Sequence, residues 1–366
     1  MKRVMVLLGT RPEAIKLCPL IRELKKRDTA FSVQVCSTGQ HREMLDSAMA
    51  AFDIKADFDL DCMRTGQTSA TLASRILKGF DEILEAESPE TVIVQGDTTS
   101  AFVGGLCAFY RRIPVAHIEA GLRTYHMHSP FPEEFHRQSL SLLSDYHFAP
   151  TVTAKQNLIR EGKKENTVFI TGNTVVDALR WTLTSQRPAK PWEVPRGKRL
   201  VLFTAHRRES LGKPMLGMFR ALRGLVEAYP DVEAICPLHH NPRVRATAKE
   251  ILYGVPRIRC IEPPELVSFH HLLSKAYLVL TDSGGIQEET AALGIPTVVM
   301  RYSTERKEGL RAGVLKLAGS GERGIYDTAF RLLKPESEEY AAMKRPSAVF
   351  GDGHASVRIA DILEKL

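Results

Sequence analysis

Short, β-branched apolar runs alternate with longer amphipathic stretches along all 366 residues, and this alternation restricts the possible fold more than any other feature. In the first half the runs fall at 3–8 (RVMVLL), 32–37, 91–95 (TVIVQ), 113–118, 145–148 and 167–171. In the second half they fall at 199–204 (RLVLFT), 232–237, 257–261, 276–281, 295–299 and, more weakly, 314–317. Helical patterns such as PLIRELKKR, ATLASRILKGFDEILEA, MLGMFRALRGLVEAY and IQEETAALG lie between them. Strand and helix therefore alternate, and the sheets are expected to be parallel.

The rhythm plays twice, in two blocks of about 170 residues, more than one core usually covers. At the seam, QRPAKPWEVPRGK (186–198) is proline-rich and reads as a linker or surface loop. The expected fold is α/β, with two doubly wound Rossmann-like domains, 1–172 and 173–351, facing a central cleft. The last helix, within 352–366, is expected to pack back on the first domain.

Hydrophobic residues at 43% and charged residues at 25% are ordinary globular values, so the net charge of +7 is the informative quantity. It points to an anionic ligand. The basic residues come as scattered pairs (Lys25-Lys26, Arg111-Arg112, Arg207-Arg208) and form no stripe, which favours a small phosphate-bearing ligand over nucleic acid. Six cysteines sit in or beside apolar runs without C-x-x-C spacing and read as reduced core thiols of a cytoplasmic protein. MKRVMVLL ends its apolar run at Gly9, too early for the core of a secretory signal. No run approaches the roughly 20 residues that span a bilayer, so no membrane partner is expected.

The opening VLLGTRPEAIK begins as nucleotide-binding domains do, yet lacks G-x-G-x-x-G. Thr10 and Glu13 form a capping box around Pro12, so a helix should start near Arg11. Arg11 and Lys16 would then accompany the free amides of its first turn, and two cations at the positive end of a helix dipole suggest an anion between them. In the second block, AYLVLTDSGGIQEETAALG reads as strand, turn and helix. Ser283, Gly284 and Gly285 allow amides and a hydroxyl to hold a diphosphate, and Glu289 can accept both ribose hydroxyls.

Strand ends of the first block carry Asp97 (VQGDTTS) and Glu119 (HIEAGLRT), and SPFPEEFHR adds Glu133 and Glu134. Each alone could be a helix cap or loop residue. Together, carboxylates in one enclosed site argue for acid and base roles in proton transfer. His206, in LFTAHRRES, ends the first strand of the second block beside Arg207 and Arg208. His239-His240 lacks a third ligand at metal spacing, so no metal and no cofactor are expected.

GTRPEAIK, QHREML, GDTT, HIEAGLRT, PFPEE, ITGNTVVDAL, AHRRES, HHNP, DSGGIQEE and STERKE stand in an order and spacing that closely resemble the non-hydrolysing UDP-N-acetylglucosamine 2-epimerases. The likeness runs from about residue 4 to 360. It implies the two-domain architecture of GT-B glycosyltransferases and interconversion of UDP-N-acetylglucosamine and UDP-N-acetylmannosamine without a nicotinamide cofactor. The route it implies is anti elimination of UDP to a 2-acetamidoglucal and re-addition.

By motif, the resemblance makes Asp97, Glu119 and Glu133 the acid/base candidates, leaving open which is the C2 base. It gives Arg11, Lys16 and His206 to the diphosphate and sugar. Ser283, Gly284 and Gly285 go to phosphate, Glu289 to the ribose, Phe269 to the uracil and Arg306 to the phosphate or sugar. His136 and Lys307 stand where the family commonly has Asn and Pro, and Pro264 where a polar residue is frequent; these departures bear on the sugar substituents. Gln40 and His41 match part of an allosteric substrate site, whereas Gly66 occupies its Arg position. The resemblance also implies a homodimer in polysaccharide biosynthesis. Its rivals are a hydrolysing epimerase and a glycosyltransferase of the same architecture.

Overall fold

The computed structural model describes residues 1–39, 42–64, 66–188, 192–207 and 210–366. The chain divides into two compact units: unit 1 comprises Met1–Trp181 and Gly351–Leu366, and unit 2 comprises Thr182–Phe350. Unit 1 holds β1 (Lys2–Leu8), β2 (Phe31–Ser37), β3 (Phe58–Asp59), β4 (Thr91–Gln95), β5 (Val115–Ile118), β6 (Tyr146–Ala149) and β7 (Val168–Ile170). They form one sheet in the order β3-β2-β1-β4-β5-β6-β7 with every pairing parallel. Val4 to Leu8 are all buried because both faces are covered. Met5 and Leu7 join Phe80, Ile76 and Leu72 of the helix Ser69–Glu87 in one cluster. The C-terminal helix Ala355–Lys365 packs on the helix Arg11–Lys26, where Arg27 pairs with Asp361 at 2.7 Å.

Unit 2 holds β8 (Arg199–Thr204), β9 (Val232–Pro237), β10 (Ile258–Ile261), β11 (Leu278–Thr281), β12 (Thr297–Val299) and β13 (Leu315–Leu317), all parallel in the order β10-β9-β8-β11-β12-β13. Alternate residues of β8 serve opposite faces: Val201 and Phe203 meet Met218, Phe219 and Ile325, whereas Leu200 and Leu202 meet Leu272, Leu273 and Ile286. The fold class expected from the alternating pattern is the one observed, two Rossmann-like α/β sheets. β3 is the strand the pattern did not announce. The strand order reverses between β1 and β4 in unit 1 and between β8 and β11 in unit 2, so each sheet has a switch point at the carboxyl ends of those strands. Five cysteines are buried, Cys260 is partly buried, and all six are free.

Candidate active site

The opening turn lies at the unit 1 switch point. Gly9 follows β1 with no room for a side chain: an added Cβ would collide with the Thr38 and Ser100 hydroxyls. The expected capping box forms at Thr10 and Glu13, and the helix starts at Arg11, which is half-buried at its first position. Glu13 is entirely enclosed. Its Oε2 accepts from Gly9 N (3.1 Å), Thr10 N (2.7 Å) and Thr10 Oγ1 (2.8 Å), and its Oε1 from Thr98 Oγ1 (2.6 Å). Burial raises its pKa, against the lowering effect of the bonds from Thr98, Thr10 and Gly9.

Lys16, a turn into that helix, forms an ion pair with Glu119, which follows β5 with a left-handed φ of 64°. Gln95 at the end of β4 also donates to Glu119, and Asn173 Nδ2 donates to its other oxygen at 3.1 Å. Glu119 Oε2 lies 3.6 Å from where a Cβ on Gly96 would stand, so this carboxylate rests against the turn carrying Asp97. Gln95 and Asn173 are contributors that the sequence reading did not single out, although Gln95 is a polar residue closing a buried strand.

Asp97 is gripped by the helix Glu133–Leu143: Arg137 Nε and Nη2 donate to Asp97 Oδ2 at 2.8 and 2.7 Å, and His136 Nδ1 donates to its carbonyl at 2.8 Å. Glu133 opens this helix and its Oε2 is buried without a hydrogen-bond partner. Glu134 is different. It accepts from Thr124 N, Tyr125 N and Gln138 Nε2, each at 3.0 Å, and meets Arg137 at 3.3 Å. Burial would raise its pKa, but the bonds from Gln138, Thr124 and Tyr125 and the Arg137 charge hold it below its ordinary value. Glu134 thus shapes the loop, and Glu133 keeps an open acceptor. Gln40 and His41 lie outside the described residues.

In unit 2, Thr204 and Thr281 end the switch-point strands with their hydroxyls 2.7 Å apart. Asp282, absent from the candidate set, is fully buried between the two turns. It accepts from His206 N (3.1 Å), Arg207 N (3.0 Å) and Ser210 Oγ (2.8 Å), and lies 3.4 Å from His206 Nδ1. His206 is thereby held against Asp282, the residue before Ser283, with its ring exposed and stacked on His239 at 6.0 Å. Among the described residues no grouping of His, Cys, Asp and Glu could hold a metal ion.

Ser283 stands at the N-cap position of the helix Gly284–Leu293 without a side-chain capping bond, and Arg306 lies over the first turn. A Cβ on Gly284 would stand 2.8 Å from Arg306 Nη1 and 2.9 Å from its Cζ, whereas one on Gly285 would meet nothing within 4 Å. Glu288 and Glu305 fix the guanidinium through bonds of 2.9 and 2.6 Å. Lys307 follows at the start of a short helix, and Thr304 Oγ1 anchors the loop to Gln287 Oε1 at 2.8 Å. Glu289 is buried, its Oε1 3.4 Å from His270 Nε2 and its Oε2 without a hydrogen-bond partner. Phe269, next to that histidine, is partly buried and packs with the Leu200–Leu202 side of the sheet. Phe269, Glu289, Ser283, Gly284 and Arg306 thus cluster around two neighbouring helices of one unit.

The sequence profile of the UDP-N-acetylglucosamine 2-epimerase family matches residues 22–364. The chain belongs to this family. A UDP-N-acetylglucosamine 2-epimerase of Bacillus subtilis (strain 168) is 47% identical over 361 residues, 99% of this chain and 94% of the relative. The crystal structure of UDP-GlcNAc 2-epimerase from Neisseria meningitidis bound to UDP-GlcNAc superposes with a TM-score of 0.94 at 42% identity, covering 100% of both chains. An S. aureus protein solved with UDP gives a TM-score of 0.92 at 41% identity, covering 100% of this chain and 96% of that one. Among the described residues no helix is long and apolar enough to cross a membrane.

Proposed function

We propose that this chain interconverts UDP-N-acetylglucosamine and UDP-N-acetylmannosamine without hydrolysis, by eliminating UDP and adding it back. The hydrogen at C2 has no neighbouring carbonyl to acidify it, so its removal must be coupled to loss of a leaving group. A carboxylate takes the C2 proton, the C–H electron pair becomes the C1–C2 double bond of a 2-acetamidoglucal, and the C1–O pair leaves on the β-phosphate. In return a phosphate oxygen attacks C1 while a proton is delivered to the other face of C2. Protein groups on both faces are therefore required, and the charge of the departing diphosphate must be held.

The observation that carries this reading is the division of labour among the unit 1 carboxylates: Glu119 held by Lys16 and Asn173, Asp97 held by Arg137, and Glu133 with an unpartnered oxygen. We assign acid and base roles to these three and charge stabilisation to Arg11, Lys16 and His206. Ser283, Gly284, Gly285 and Arg306 are assigned to the diphosphate, Phe269 to the uracil and Glu289 to the ribose. The unpartnered Glu289 Oε2 supports the last assignment, since a buried carboxylate oxygen without a donor suits a ligand hydroxyl. The test is incubation with UDP-N-acetylglucosamine in deuterated water, followed by NMR. Deuterium at C2 of both epimers with UDP retained is expected. Free N-acetylmannosamine with released UDP would mark a hydrolase, and absence of exchange would overturn the proposal.

A further inference from the structure

Two consecutive carbonyls of the turn carrying Asp97 each receive a hydrogen bond from a buried histidine. His117 on β5 donates from Nε2 to Gly96 O at 2.7 Å, and His136 donates from Nδ1 to Asp97 O at 2.8 Å. A carbonyl only accepts, so each bond fixes a tautomer, Nε2–H in His117 and Nδ1–H in His136. His117 stands just before Glu119 in sequence, and His136 one helical turn after Glu133. The two rings thus reach Asp97 from the two segments that carry the other acid/base candidates.

Both rings are constrained. His117 is 1% exposed and pairs in register with buried His147 of β6. His136 stacks on Phe102 with centroids 5.2 Å apart and planes at 13°, with Phe135 at 5.9 Å. Burial keeps both neutral, pushing His117 down to about 4 and His136 below its ordinary value. They therefore donate without adding charge beside the Arg137–Asp97 pair.

We propose that His117 and His136 are a pair of positioning residues that hold the Gly96–Asp97 backbone between them and so set where the Asp97 carboxylate stands relative to Glu119 and Glu133. The inference rests on the epimerase reading, because it concerns the geometry of that chemistry. His136 and Arg137, neighbours on one helix, take the carbonyl and the carboxylate of the same aspartate, so backbone and side chain are fixed together. Displacement of a reacting group by about 1 Å costs about a hundredfold in rate, which is what such a clamp would prevent.

An amide nitrogen placed by Asn overlays the Nδ1 of histidine, and one placed by Gln overlays Nε2, so the donor can be kept or displaced. His136→Asn and His117→Gln keep it, His136→Gln and His117→Asn displace it, and the polar replacements guard against loss of folding. The readouts are kcat, KM, the pH–rate profile and UDP affinity by calorimetry. Displacing the donor should lower kcat by about 10- to 100-fold with UDP affinity within about twofold, and the donor-keeping variants should recover most of kcat with an unmoved acid limb. Unchanged kcat on displacement, no recovery with the matched amide, or a shifted acid limb would overturn the proposal. If the wild type itself shows no C2 exchange, the epimerase reading has failed, and the clamp is then decided by 15N spectra of labelled histidine. The Nε2–H and Nδ1–H tautomers without titration near pH 6.5 support it, and freely titrating rings overturn it.

Discussion

Thr98 Oγ1 donates a 2.6 Å hydrogen bond to Glu13 Oε1, joining the turn after β4 to the turn after β1. The capping carboxylate of the first helix is thereby also the tie between the Arg11 and Asp97 turns. Glu13→Gln turns an NH2 group either toward the Gly9 and Thr10 amides, which only donate, or toward the Thr98 hydroxyl, which would have to give up its donated bond, and a buried donor left unpaired costs about 1–3 kcal/mol. That loss should fall on unit 1. The two tryptophans, Trp181 in unit 1 and Trp192 in unit 2, allow each unit to be followed separately once the other is replaced by Phe. A lower denaturant midpoint is expected at Trp181 with little change at Trp192; equal shifts at both would contradict the assignment.

Asp97→Asn removes the charge that Arg137 pairs with while keeping the side-chain volume. If Asp97 takes part in proton transfer, turnover and C2 exchange should vanish while UDP affinity stays within about tenfold, because the nucleotide is assigned to unit 2. Residual exchange above about a hundredth of wild type would remove Asp97 from the acid/base set and leave the roles to Glu119 and Glu133.

The sheets were legible in the sequence because parallel strands covered on both faces are continuous apolar runs, as in RVMVLL and RLVLFT. β3 was not, since Phe58–Asp59 is too short to leave a run. Polar residues that close such runs, Asp97 and Glu119 among them, were legible as site candidates for the same reason. Asp282, Asn173, His117 and Arg137 were not. A buried polar side chain differs from a surface one only through its partner, and those partners lie on elements distant in sequence: Asp97 for Arg137, Glu119 for Asn173. Arg306 was proposed from its motif, but its setting between Glu288 and Glu305 over Gly284 follows only from the fold.

Stability should fall with acidification through the buried histidines. Burial depresses His117 to about 4 and His147 to about 3, from the 6.5 they have when unfolded. Below pH 6.5 the unfolded chain binds protons that the folded chain does not, so stability is lost as pH falls toward those values. The loss at His117 is on the order of 3 kcal/mol by pH 4. Denaturant unfolding of unit 1 from pH 7 to 4.5 should show this slope, and His147→Asn should flatten it in part; a slope unchanged by that variant would place the acid sensitivity elsewhere.

Glu289 offers an unpartnered buried oxygen where a ribose is assigned. A hydrogen bond to a charged acceptor contributes about 1.5–3 kcal/mol, so wild type should bind UDP more tightly than 2′-deoxy-UDP by about tenfold or more. Glu289→Ala should erase that preference, mainly by weakening UDP. Titration calorimetry of both ligands against both proteins decides it, and a preference that survives the substitution would remove Glu289 from the ribose site.

Gly284 and Gly285 are adjacent in sequence yet differ in what a methyl group would meet. A Cβ at 284 presses on the Arg306 guanidinium at 2.8–2.9 Å, while one at 285 enters open space. Arg306 cannot swing away without breaking its bonds to Glu288 and Glu305, so Gly284→Ala must displace either the cation or the helix start. UDP affinity should drop by about tenfold or more, with a destabilisation of about 1–3 kcal/mol from overpacking. Gly285→Ala should leave the unfolding midpoint of unit 2 unchanged or slightly raised, because alanine fits this helical position and restricts the unfolded chain, so any loss of UDP binding it causes reports direct crowding of the ligand. Equal destabilisation by the two substitutions would contradict the packing of Arg306 on this turn.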